Sequence, residues 1–260
     1  MKSLIICDDC KVASIAPFCA ANNWGIEVQS FYDPDFITRN PDAIGTHRQA
    51  IEKIELCSLH GPYGDLCPGS FDSMVRDVAR NRFEMAYDIA LNLDISHIVL
   101  HHGYVPGTSL PAGWLTRCTD FWEDFLESKS EKMRFPIENM LESDPYLLSD
   151  VVTAIDRENV DVCLDIGHVH CQSKVSVLKW IEYLGDQIGY VHLHDNHGEK
   201  DEHLGLGEGD IPLVDVCNML CEYAPGALWA IEAEDIGIQE SVIWLKEHGF
   251  IDQGMHGLTL

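Results

Sequence analysis

Eight short β-branched or aliphatic runs, separated by longer amphipathic stretches, recur from one end of this 260-residue chain to the other. Parallel strands joined by crossover helices require that alternation, because a parallel neighbour is reached only by carrying the chain back across the sheet. The runs predict strands at Ser3–Cys7, Gly25–Gln29, Leu56–His60, His97–His101, Arg134–Glu138, Val162–Asp165, Ile188–His192 and Leu228–Ala233. Helices are predicted between them, as at Tyr146–Asn159 and at Phe71–Asn92, where Met74, Val78, Phe83, Met85, Tyr87 and Ile89 supply an apolar face. Eight such units close into an α/β fold, a single (β/α)8 TIM barrel, which typically uses about 250 residues. No Pro/Gly/Ser linker interrupts the alternation, so residues 1–260 read as one domain. An open doubly wound sheet would instead carry a G-x-G-x-x-G after an early strand, and none stands there. Gly205, Gly207 and Gly209 alternate within a loop and read as turn geometry.

The opening MKSLIICDDC has an apolar run of four residues ending at two aspartates, too short for a signal peptide or a membrane span, so a cytoplasmic protein is expected. Ten irregularly spaced cysteines then read as reduced, mostly buried thiols. Cys7 and Cys10 form one C-x-x-C, too little for a zinc or redox assignment without a second pair. The excess of 43 acidic over 17 basic side chains, a formal charge of −26, repels phosphodiester backbones, and nucleic acid is not an expected partner. The nearest basic cluster, Arg76, Arg80 and Arg82, falls on a predicted helix. The tail Asp252–Leu260 has no helical pattern and is expected to be disordered.

The chemistry gathers at the ends of the predicted strands. The third run ends at His60, the fourth at His101-His102, the fifth at Glu138-Asn139, the sixth at Asp165 with His168 following, the seventh at His192 with His194 and Asp195 following, and the eighth at Glu232. One such residue alone is more often a hydrogen-bonded structural group than a ligand. Six consecutive strands ending this way at one barrel mouth place ionisable groups where they repel or stay unsatisfied unless a cation holds them. Imidazole with carboxylate suits zinc or manganese rather than calcium. The string GYVHLHDNHGEKDEHLGLGEGD, residues 189–210, would otherwise pass for a solvated acidic loop. Following the seventh strand, it sends His192 into the mouth and lets Asp201 and His203 fold back over it, with His194, His197 and Glu199 expected to face solvent or to stand behind the ligands.

These fragments, with Gly25-Ile26-Glu27-Val28-Gln29, Leu59-His60-Gly61-Pro62-Tyr63 and Leu164-Asp165-Ile166-Gly167-His168, resemble in order and placement the xylose-isomerase-like TIM-barrel superfamily. That superfamily includes sugar isomerases and epimerases and the endonuclease IV type of apurinic/apyrimidinic endonuclease. The resemblance to the sugar-processing members implies one divalent ion held by Glu138, Asp165, His192 and Glu232. The resemblance to the endonucleases adds His60, His101, His168, Asp201 and His203, completing a nine-ligand, three-metal pattern. Departures from the endonuclease pattern are Ile166-Gly167 where a Thr-Cys is usual, His194-Asp195-Asn196 where Asn-Asp-Ser is usual, and an acidic loop, Ser30-Phe31-Tyr32-Asp33-Pro34, where DNA binding needs basic residues. Tyr63 suits the wall of a sugar pocket better than a base-stacking role.

Two mechanisms fit this inventory. In a metal-dependent sugar or sugar-phosphate isomerase or epimerase, the ion chelates adjacent substrate oxygens and stabilises an enediolate. Glu138 and Glu232, facing each other across the substrate, move the proton; His168 orients a hydroxyl, and Trp114, in the loop after the fourth run, is a candidate apolar wall. In a multinuclear zinc phosphodiesterase, Glu138 and Glu232 bridge metals and His60, His101 and His203 become essential. A catalytically idle binding barrel is a third reading, set apart because removing its metal would change stability more than turnover. The expectation is the isomerase or epimerase, with one to three zinc or manganese ions, a small carbohydrate or phosphorylated substrate, no membrane, and a homodimer compatible with the fold.

Overall fold

The structure, a computed structural model, describes residues 4–252. Ser3 and the predicted tail beyond Asp252 lie outside the described residues. The strands are β1 (Leu4–Cys7), β2 (Gly25–Val28), β3 (Cys57–His60), β4 (His97–His101), β5 (Phe135–Glu138), β6 (Val160–Asp165), β7 (Ile188–Leu193) and β8 (Leu228–Ile231). All neighbours are parallel, and β1 pairs with β8 through Ile5 and Ala230, so the sheet closes into a (β/α)8 barrel.

Among the described residues ten α-helices wrap the sheet: α1 (Val12–Asn22), α2 (Phe36–Arg39), α3 (Ala43–Ile51), α4 (Ser73–Leu93), α5 (Trp114–Leu126), α6 (Tyr146–Ile155), α7 (Ile166–Gln172), α8 (Val177–Leu184), α9 (Leu213–Tyr223) and α10 (Asp235–Glu247). Among the described residues, no helix is long and apolar enough to cross a membrane. Two helical expectations need correction. The packed face of α4 is Ala79, Phe83, Ala86, Ile89, Ala90 and Leu93, while Met74 and Val78 are exposed. The alanines let the helix lie close to the sheet, so small residues between Phe83, Ile89 and Leu93 mark its buried side as much as large ones do. Helix α6 stops at Ile155 rather than Asn159, because Asp156 turns left-handed at φ 48° and caps it.

Strand parity determines which side chains meet. Successive residues of a strand point to opposite faces, so each strand sends one set outward to the helices and the other into the barrel. Outward go Ile6, Ile26, Leu59, Leu100, Ile137, Leu164, Val191 and Ile231, all in the large core shared with the helices. Inward go Ile5, Cys7, Val99, Cys163, Tyr190 and Ala230, a separate cluster filling the barrel. Two residues beyond Val99, Cys163, Tyr190 and Ala230, the same parity brings His101, Asp165, His192 and Glu232 to the mouth.

Candidate metal centre

Glu138, at the end of β5, is the hub. Its Oε2 lies 3.2 Å from His60 Nε2 and 3.2 Å from His101 Nε2, and its Oε1 lies 3.2 Å from His192 Nδ1 and 3.5 Å from His168 Nδ1. His192 Nδ1 is in turn 3.2 Å from Glu232 Oε2 and 3.7 Å from Asp165 Oδ2. Glu138 and Glu232, expected from the sequence to face each other across the substrate, both end beside one imidazole nitrogen, His192 Nδ1.

Flanking groups complete the set. His60, His101 and Glu138 form one triad able to hold a metal ion, and His168, Asp201 and His203 form another. Asp201 Oδ2 stands 3.2 Å from His168 Nε2 and 3.0 Å from His203 Nε2. All nine residues singled out from the sequence, His60, His101, Glu138, Asp165, His168, His192, Asp201, His203 and Glu232, thus meet at the C-terminal mouth.

Local structure explains why the loop residues arrive. Asp195 and Leu204 exchange two backbone hydrogen bonds, each 3.0 Å, and fold the segment between them back over the mouth. His203 adopts a left-handed φ of 49°, rare for a residue with a Cβ, and Glu232's backbone carbonyl 2.9 Å from its Nδ1 holds it there. Asp165 caps α7 by accepting from the His168 backbone N–H at 2.6 Å, which ties two candidate ligands to one helix start. Asn139 fixes Asp165 by donating to its carbonyl and accepting from its N–H.

His194, expected to face solvent or to stand behind the ligands, is fully buried behind Asp165: its Nε2 lies 3.1 Å from Asp165 Oδ1 and its ring stacks on His203 at 4.2 Å. It shares the inward parity of His192, a signal present in the sequence. A Cβ at Gly167 would lie 2.0 Å from its imidazole, so glycine there makes room for it. Trp114, expected in a loop, instead opens α5 and is fully buried. His197 and Glu199 are exposed, as expected.

The sequence reading missed Glu27 of β2. Its carboxylate is buried at the barrel centre and accepts from Tyr190 Oη at 2.7 Å and from Ser58 Oγ at 3.4 Å, with His192 Nε2 at 3.1 Å. An ionisable residue of inward parity within an apolar strand was the signal. Gln29, just beyond β2, donates to Glu232 Oε1 at 2.7 Å and was also missed.

The donor set fits a cation. His192 Nδ1, Glu138 Oε2 and Glu232 Oε2 are buried with only one another and the His60 and His101 imidazoles to face, at 3.2 Å, and His60 Nε2 and His101 Nε2 approach to 3.4 Å. Unpaired buried acceptors cost free energy, and convergent imidazole and carboxylate donors are what zinc or manganese takes. Burial alone would push His60 down, but the hydrogen bond and charge of Glu138, aided by Glu27 and Glu232, outweigh it and raise its pKa to about 9. Burial is likewise overcome at His203, where Asp201 and Glu232 raise the pKa to about 10. Despite their burial, Glu138 is held well below the usual carboxylate range by His101 and His192, and Asp201 by His168 and His203. A field that gathers protons this strongly gathers divalent cations too.

A pH dependence follows. With a chelator present, the raised imidazoles contribute stability that is complete below their unfolded value of about 6.5 and lost as pH rises through about 9 for His60 and about 10 for His203. The melting temperature of the metal-free protein is therefore expected to fall across that window. Because ligands must shed protons to bind, added zinc should stabilise most at the upper end; melts across pH with and without zinc would check this.

Beside the centre lies a cleft of about 240 Å³ lined by Gln29, Tyr32, His60, Tyr63, His203 and Glu232, among others. It is smaller than the roughly 300–1,000 Å³ of pockets for drug-sized ligands. Tyr63 stacks on His101 at 4.6 Å and on Tyr32 at 5.7 Å, walling the cleft.

The family model described as the xylose isomerase-like TIM barrel matches residues 20–249. The chain belongs to this family. Among solved structures, this xylose isomerase-like barrel is similar to a D-tagatose 3-epimerase-like protein, with a TM-score of 0.79, 25% identity, and coverage of 95% of this chain and 97% of that one. It is also similar to a Thermus thermophilus protein soaked with zinc chloride, with a TM-score of 0.77, 22% identity, and coverage of 95% and 98%. Among curated proteins, it is 29% identical over 193 residues to an uncharacterized protein of Methanocaldococcus jannaschii, covering 68% of this chain and 64% of that protein. It is 26% identical over 201 residues to a probable endonuclease 4 of Natronomonas pharaonis, covering 68% and 66%. The chain thus spans just under two thirds of the length of these curated relatives.

Proposed function

We propose that this barrel is a metal-dependent isomerase or epimerase acting on a small sugar or sugar phosphate. The observation that carries the reading is the buried His192 Nδ1, facing carboxylates from the ends of β5, β6 and β8. Glu138, Asp165, His192 and Glu232 would hold a central zinc or manganese, and the two flanking triads give places for up to two more. A divalent ion there would polarise adjacent substrate oxygens and acidify the carbon-bound hydrogen beside a carbonyl.

The rest is done by this chain's own groups. Glu138 and Glu232 are the bases, one removing the proton next to the carbonyl and the other returning it. Gln29 fixes the carboxylate of Glu232 by donating to Oε1, leaving Oε2 for the reacting side. His168, expected from the sequence to orient a substrate hydroxyl, has both ring nitrogens engaged, Nδ1 with Asn139's carbonyl and Nε2 with Asp201, so its role in this reading is to position Asp201 at the mouth. Tyr63 and Tyr32 wall the cleft, whose size suits one sugar unit. The similarity to a D-tagatose 3-epimerase-like protein supports the reading.

Two flanking triads are more than one central ion needs, and this favours a second reading, hydrolysis of a phosphoric ester by two or three zinc ions. The similarity to a probable endonuclease 4 is in keeping with it. A charge of −26 and a narrow cleft oppose a duplex and leave a small phosphorylated substrate.

The test combines elemental analysis of protein purified without added metal with proton exchange into ketoses and their phosphates in deuterated water. One manganese or zinc per chain with deuterium entering beside the carbonyl is the expected result. Three zincs, no exchange and release of phosphate or alcohol from esters would replace the isomerase with the hydrolase.

A further inference from the structure

On the other side of Tyr63 from the polar cleft lies a second cavity of about 670 Å³, between the loops that follow β3 and β4. Its walls include Leu66, Val75, Tyr104, Leu110, Trp114 and Leu141, and its lining residues include neither lysine nor arginine. Phe71 stands at the rim with 73% of its surface exposed, apolar area that a bound group would cover. His101 and Tyr63 also line the chamber, so it adjoins a candidate ligand on one side and shares a wall with the cleft on the other.

The chamber is built rather than left over from packing. Strand parity sends His102 away from the barrel interior that His101 faces, and there its Nδ1 lies 2.8 Å from Glu142 Oε1 while its Nε2 accepts from the Trp114 indole at 3.3 Å. His102, Glu142 and the indole are all buried. Tyr104 meets Trp114 edge-on at 4.9 Å. The indole presses against Gly69, where a Cβ would come within 2.6 Å of its ring, and Arg117 donates from Nε to the Gly69 carbonyl at 3.0 Å. Two loops and α5 are thereby locked around an apolar space, at the cost of burying a polar network that the barrel itself does not need.

We propose that this chamber is a substrate subsite taking an uncharged aromatic or branched-alkyl substituent of a molecule whose polar, reacting end sits at the metal centre. The absence of lysine and arginine, with Asp65 and Asp72 in the lining, excludes a phosphate there, and although Ser70, Thr108 and Ser109 also line the space, the aliphatic and aromatic walls favour an apolar group over a sugar. The proposal rests on the metal-centre reading above for the polar end alone; the apolar half stands on the chamber.

The probe is N-phenyl-1-naphthylamine, a neutral fluorophore, titrated into protein loaded with Mn²⁺ or Zn²⁺ of measured stoichiometry. Saturable one-to-one binding is expected, weakened about tenfold or more in both Val75→Phe and Thr108→Trp, two fillings from different walls. Circular dichroism melts and metal content verify that each variant folds and loads. Mn²⁺, unlike Zn²⁺, should broaden the proton resonances of the bound probe, which requires the chamber to adjoin the centre. Absence of saturable binding, binding untouched by both fillings, or equal line widths with the two metals in loaded protein would each overturn the subsite. Protein that takes up neither metal yet binds the probe would instead overturn the metal-centre reading, and with it the link to a reacting end.

Discussion

Glu138→Gln is expected to abolish entry of solvent deuterium next to the substrate carbonyl, with turnover falling by roughly 10²–10⁴-fold, the span a positioned general base contributes. The change is nearly isosteric, so the barrel should remain folded. The wild-type carboxylate, however, sits within 3.5 Å of four imidazole nitrogens, those of His60, His101, His168 and His192. A neutral amide removes the charge that holds these rings and turns one oxygen into a donor facing them. Metal content must therefore be measured beside turnover. Loss of exchange with metal retained identifies Glu138 as a proton carrier, loss of both identifies it as a ligand first, and full exchange with Gln in place would remove it from the chemistry.

The second large effect is expected at Glu27, which no strand-end pattern marks. Glu27→Gln should weaken divalent-metal affinity by about 10–100-fold, the range seen when a group orienting a metal-bound histidine is lost. The carboxylate accepts from Tyr190 and lies beside His192 Nε2, which makes Nε2 the nitrogen that donates to Glu27 and turns Nδ1 toward Glu138 and Glu232, the side on which a metal would displace its proton. An amide can donate as well as accept, which lets the imidazole adopt the opposite tautomer. Chelator competition reads the affinity, and nitrogen-15 chemical shifts of His192 read the tautomer. Unchanged affinity with an unchanged tautomer would reduce Glu27 to a packing role.

The barrel was legible because alternation of apolar runs and amphipathic stretches is a long-range pattern that survives errors of a residue or two at each strand end. The candidate ligands at the strand ends were legible because those ends converge in a closed barrel, so position along the chain becomes position around the mouth, and His168, Asp201 and His203 were legible as histidines and an aspartate shortly after such an end. Depth was harder to read. Glu27, His194 and Gln29 belong to the same centre, but they lie within a strand, two residues beyond a ligand and one residue past a strand end, where composition alone reads as ordinary. Inward parity picks out the first two. Gln29 is settled only by the loop after β1, where Asp8 accepts from the Gln29 backbone N–H and the Gln29 side-chain carbonyl accepts from that of Asp9. Trp114 was misplaced for a related reason: its indole is satisfied by His102, a partner revealed only when two loops pack.

Two kinds of backbone share the mouth. His60, His101, Glu138, Asp165 and His192 are strand residues, and altering their spacing means altering the barrel. Asp201 and His203 instead ride on the 195–204 excursion, pinned at its base by one pair of backbone bonds. Beyond that pair the excursion is tied to the chain after β8 through His203, whose carbonyl accepts from Glu234 N–H and whose Nδ1 lies 2.9 Å from the Glu232 carbonyl, so the stretch between 197 and 202 is an exchangeable cassette whose length and composition can drift while the strand-borne groups keep their spacing.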